Sequence, residues 1–140
     1  MQKTWVKVIG RVLHGLIAAL MIFAGSGKAF GFAPPEIVAN MTKYGLGDRL
    51  VLIGTGEMLA ALLLLIPKTR SLGLLLVSGF WGGVICIHMA NGEPFAFPSV
   101  LLALTWLGGF LRDPNTLASF FETPKPRAVA VPGEVAPAAI

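Results

Sequence analysis

Four ionisable side chains stand inside or at the ends of apolar runs, where charge is costly: His14 in "VLHGLIAALMIFA", Lys28 in "AGSGKAFGF", Glu57 in "GEMLAALLLLIP" and His88 in "GGVICIHMANGEP". Together they form a candidate intramembrane polar site. An ionised carboxylate midway across a bilayer costs about 2.5 to 3.5 kcal/mol on insertion scales, so Glu57 must be paired, protonated or hydrated. Lys28 is the best available partner, because its flexible stem can reach one or two turns down. Such a pair would be structural glue. The same acid could instead face a ligand- or proton-handling cavity, or be protonated and bonded to backbone, and chain position leaves all three open.

His88 falls in the last turn of its apolar run, near the outer interface, where a histidine can respond to a carboxylate or a helix end or serve a structural role. Trp81 and Trp106 fall near mid-span rather than in the interfacial belts that tryptophan prefers. Phe95 and Phe97, in "EPFAFP", flank the outer mouth. These four aromatics are the candidate pocket lining. Beside a histidine and an acid they suit a flat apolar ring such as a quinone headgroup, although aromatics also simply fill bundles. No metal set is expected, since His14 and His88 fall near opposite surfaces with only Glu57 between them. A single cysteine, Cys86, excludes an internal disulfide, a CxxC pair and a thiolate metal cage. There is no Gly-rich phosphate loop, nucleophile elbow or haem motif, and no cofactor is evident beyond a possible place for quinone or lipid.

These residues must be positioned by membrane helices. Of the 140 residues 55% are hydrophobic and 13% charged, with mean hydropathy +0.77, far from the charge content of soluble domains. Four apolar runs near spanning length cover about 5–30, 48–66, 72–90 and 97–111. "PKTR", "NGEP" and "RDP" break them with proline. The expected fold is all-α: an integral membrane four-helix antiparallel bundle, with a short surface amphipathic helix in "PPEIVANMTKYGLGD" between spans one and two. Residues 1–114 form the membrane domain, and 115–140 a Pro/Ala-rich cytoplasmic tail, disordered or held by a partner.

Helical phase sharpens this. Lys7, Arg11, His14, Ala18, Met21, Gly25 and Lys28 share one stripe of span one, opposite Val8, Ile9, Val12, Leu16, Leu20 and Phe23. The polar stripe should face the bundle and the apolar one lipid. In span two Glu57 shares a face with Gly54, Ala60 and Ala61, where a neighbour can come close. Gly79 and Gly83, at GxxxG spacing, are expected to pack against another helix, as is Gly54.

The net charge of +4 does not point to nucleic acid, because the basic residues sit at the ends of apolar runs. With the N-terminus inside, Lys3, Lys7, Arg11, Lys68, Arg70, Arg112, Lys125 and Arg127 are cytoplasmic, against Lys28, Lys43 and Arg49 outside. That asymmetry places both termini in the cytoplasm of a cell bounded by an inner membrane. The first run, ending in "AGS", resembles a secretory signal peptide, but it contains His14 and its stripe continues through both ends, so it reads as a retained span.

On "GTGEMLAALLLLIPKTRSLG", "HMANGEPFAFPSVLLALTWLGGFLRDP" and "AGSGKAFGF", the sequence resembles the DoxX-like family of small four-helix bacterial membrane proteins. The resemblance implies the four-span fold, an acid in span two and a histidine ending span three, here Glu57 and His88. Some DoxX-type relatives are subunits of thiosulfate:quinone oxidoreductase, but no catalytic motif carries over, and fold does not settle function. The expected function is therefore a non-catalytic or accessory subunit of a larger membrane complex, with no catalysis by the isolated chain. Its partners would be the bilayer and other membrane subunits or a second copy. The alternative is a quinone-linked oxidoreductase subunit with Glu57 and His88 beside an aromatic-lined pocket. Transport is a poorer reading, since four short spans need oligomerisation to enclose a pathway.

Overall fold

Long stretches of leucine, alanine, isoleucine and valine with few breakers favour helix, and the breakers define where each helix ends. The computed structural model describes residues 4–117. It contains α1 (Thr4–Phe30), α2 (Pro35–Lys43), α3 (Leu50–Leu65), α4 (Arg70–Ala90) and α5 (Ala96–Arg112), with 3-10 turns at Gly47–Arg49 and Pro114–Leu117. The all-α expectation holds, and the ends of the four long helices lie within two residues of the apolar runs. Most of the expected tail, residues 118–140, lies outside the described residues.

The stops have local causes. Ile66 precedes Pro67 and is extended at φ −73°, ψ 124°, because the proline ring excludes the helical region for the residue before it, and α3 ends there. Asp113, before Pro114, ends α5 in the same way at φ −156°, ψ 101°. After α4 the chain reverses at Gly92, whose φ of +66° suits a residue without Cβ, and the Glu93 amide then donates to the His88 carbonyl at 2.9 Å.

Packing closes a ring: α1 lies against α3 and α5, and α4 lies against the same two. Early α1 meets late α5, with Gly10 against Gly108 and Arg112; late α1 meets early α3, with Gly25 against Gly54; early α4 meets late α3, with Gly73 against Leu64. Met21, Leu64, Leu74 and Val77 fill the middle. On the outside, Leu16 is 65% exposed and Phe23 77%, part of an apolar stripe along α1 that water would not tolerate but lipid would. By length and composition α1 and α4 are long and apolar enough to cross a membrane, and α5 is a shorter apolar helix.

Two glycine faces behave differently. A Cβ at Gly54 would run into the Gly25 carbonyl oxygen and the Lys28 side chain, so α1 and α3 touch backbone to backbone. Gly79 and Gly83 of α4, expected to pack, would meet nothing within 4 Å. Among the described residues that face is uncovered.

Candidate ligand-binding cleft

The close approach of Gly25 to Gly54 brings the last turns of α1 beside α3, and this contact sets Lys28 across from Glu57. Lys28 is 8% exposed and Glu57 2%. The Lys28 Nζ donates a hydrogen bond to Glu57 Oε2 and forms an ion pair with it. The same ammonium stands 5.7 Å from the centre of the Phe80 ring on α4, a cation–π distance. Two of its three N–H groups are thus left for another acceptor.

Both charged side chains lie in the wall of a cleft of about 760 Å³, within the range of sites for small organic ligands. The rest of the wall is apolar. Phe23 and Leu20 come from α1, Phe80, Trp81, Gly79 and Gly83 from α4, Phe97 from the start of α5, and Ile37 and Met41 from α2. The amphipathic helix expected between the first two spans therefore helps to form the cleft. Trp81 is 6% exposed and meets Phe80 edge to face at 5.2 Å between ring centres. Its indole Nε1 is buried without an acceptor among the described residues.

The polar residues expected to share one site divide into three. His88 is not in the cleft wall; its Nδ1–H donates to the Pro94 carbonyl at 2.8 Å and fastens the end of α4 to the next turn. His14 is 14 residues before Lys28, about 21 Å along the same helix at 1.5 Å per residue. There its Nε2–H donates to the Thr105 carbonyl at 2.9 Å, and its Nδ1 accepts from Arg112 Nη1 at 2.9 Å. A carbonyl can only accept and a guanidinium can only donate, so these partners hold the imidazole neutral. Gly108 makes room for the ring, since a Cβ there would strike it.

The expected aromatic lining divides too. Trp81 and Phe97 line the cleft, whereas Phe95 is 46% exposed outside it and Trp106 packs beside Phe110 at 6.4 Å. Phe80, which the sequence pattern did not single out, is the aromatic that stands over the Lys28 ammonium. The available signal was its place beside Trp81 within a glycine-rich stretch. Among the described residues no group of three His, Cys, Asp or Glu side chains could hold a metal ion.

A second polar contact lies outside the cleft wall. Lys43 Nζ pairs with Glu93 Oε1 at 2.7 Å, and the Tyr44 hydroxyl donates to Glu93 Oε2, tying the end of α2 to the turn after α4. The Lys43 ammonium, and then the Tyr44 hydroxyl, hold the Glu93 carboxyl below its ordinary range. Donation to that carboxylate pushes the Tyr44 phenol above its own.

No curated protein and no solved structure matches the chain. The model of the DoxX-like family matches residues 12–108, a stretch that takes in the cleft, both of its charged residues and His88. The match covers well over half of the sequence, and the chain belongs to the DoxX-like family.

Proposed function

We propose that the chain is an integral inner-membrane protein, a four-helix antiparallel bundle with both termini in the cytoplasm, that serves as a non-catalytic accessory subunit binding a lipophilic, carbonyl-bearing ring of the quinone type. The family and the two apolar helices support a membrane protein; the ligand reading rests on the cleft. One observation carries it: a buried ion pair in the wall of an otherwise apolar, aromatic-lined space of ring size. A purely structural Lys–Glu pair needs no cavity at its side. Here a ligand carbonyl could accept from Lys28 while its ring lay against Phe80 and Trp81 and its tail left along the apolar wall. When bound, such a ligand would supply electron transfer to a partner; the chain's own residues hold and orient it. Glu57 is engaged by Lys28 and His88 stands elsewhere, which favours binding over proton handling by that pair.

The purified full chain in neutral detergent, titrated with a short-tailed benzoquinone, should show saturable quenching of tryptophan fluorescence. Gly83→Leu adds bulk where nothing lies within 4 Å and should abolish the quench without unfolding the protein. Trp106→Phe should preserve it. Unaltered binding by Gly83→Leu would remove the cleft as the site. A second reading, that another subunit or a second copy covers α4, is favoured by the open face at Gly79 and Gly83. In that case Gly79→Leu, on the same helix, would dissociate the complex when isolated from membranes.

A further inference from the structure

At the far end of the bundle from Lys28 a second cleft, of about 420 Å³, is lined by Arg11, Leu65, Pro67, Arg70 and Arg112. Three guanidiniums from three helices converge there. Arg70 Nη2 donates to Asp113 Oδ2 at 2.8 Å, and Arg112 Nη1 reaches His14 Nδ1 and, at 3.3 Å, the Leu64 carbonyl. Among the described residues, the Nε atoms of Arg70 and Arg112 are buried and have no partner. Helix α4 begins at Arg70 with no side chain capping its first turn, so its positive end adds to the charge of the cleft.

Topology alone does not require this arrangement. Exposed Lys7 and Lys68 already supply basic charge at this end, and they line neither cleft. Arg112 lies within electrostatic reach of both Arg70 and Arg11, so like charges are held together across the helix ends. Asp113 pairs with Arg70, and among the described residues the cleft wall holds three guanidiniums and no carboxylate, an excess that an anion would relieve. Arginine forks match the paired oxygens of a phosphate, and the Nε–H groups of Arg70 and Arg112 are buried donors for such an anion.

We propose that Arg11, Arg70 and Arg112 form a phosphate-binding site, taking the oxyanion of a phospholipid headgroup or of free inorganic phosphate. The site is independent of the ligand cleft, and its test does not involve that ligand. The full chain in neutral detergent is examined by thermal unfolding with inorganic phosphate against chloride at equal ionic strength. Native mass spectrometry follows with phosphatidylglycerol against a phosphate-free glycolipid of the same acyl chains. A phosphate-specific rise in the unfolding midpoint identifies free phosphate as an occupant; selective retention of phosphatidylglycerol identifies the headgroup. In either case Arg112→Gln and Arg11→Gln should weaken the response by about tenfold, as expected when a charge-assisted donor is lost, and Lys68→Gln should not. If Arg112→Gln fails to fold through loss of its His14 contact, Arg11→Gln, altered at an exposed side chain, decides. Equal effects of phosphate and chloride together with no preference between the lipids overturn the proposal, as does undiminished binding by Arg11→Gln.

Discussion

The Lys28–Glu57 pair is held deep in the protein, and its energetics are those of mutual dependence. Removing one partner of a buried pair leaves the other charged and unsatisfied, at a cost of about 3 to 5 kcal/mol, whereas replacing both by apolar groups of similar size is close to neutral. Lys28→Met and Glu57→Leu should each lower the unfolding midpoint in detergent, and the double variant should recover most of the loss. Additive losses would mean that the two side chains do not depend on each other. Polar periodicity in α1 and the small-residue face of α3 made Lys28 and Glu57 legible as partners. The nearby Phe80 was not, because a one-residue difference in helical phase decides whether a ring meets the ammonium or lipid.

The Lys43–Glu93–Tyr44 contact lends itself to a pH experiment. A carboxyl held below its ordinary range stabilises the fold above its unfolded pKa, and that contribution disappears as pH falls through the lower folded value. A raised phenol works in the opposite direction: its contribution is present below the ordinary 10.0 and is lost as pH rises through the folded value. The attachment of α2 should therefore be firm at neutral pH and loosen at both extremes. Tyr44 is the single tyrosine, so phenolate absorbance reports on it alone. Its midpoint should lie above 10.0 in the native protein and fall in Glu93→Gln; equal midpoints would discount the hydrogen bond.

At the scale of elements, the helices were legible because apolar runs near spanning length end at Pro67, Pro94 and Pro114 or at glycine turns. Which glycines pack was not legible, since the same small residue serves a tight crossing and an open surface. Their substitutions should separate the two. Gly73→Ala would drive a methyl into the backbone of Leu64, and Gly54→Ala into the Gly25 carbonyl, so both should destabilise strongly. Gly82→Ala meets nothing and should raise stability by about 0.5 to 1 kcal/mol through helix propensity, read from denaturant unfolding of the monomer. A large loss at Gly82 would reveal a neighbour on that face. The division of the polar residues among three places has a similar origin: His14 and Lys28 share a stripe of α1, yet helical rise alone sets them far apart.

The whole molecule combines helices of unequal length, and on the proposed reading a bilayer would have to meet all four long ones. α1, with 27 residues, extends about 40 Å at 1.5 Å per residue, and α3, with 16, only about 24 Å. A hydrocarbon core is about 30 Å thick, so in a membrane the long helix would lean or protrude while lipid beside the short one would be drawn thin. The two are joined at Gly25 and Gly54 and cannot adjust separately. Reconstituted protein should accordingly unfold at a higher temperature in shorter-chain than in longer-chain phosphatidylcholine, and the opposite order would show that the long helix sets the match. On the proposed membrane reading, a backbone contact between two glycines would make the protein a local gauge of membrane thickness, with the shortest of its four long helices, the one that carries the buried acid, setting the scale.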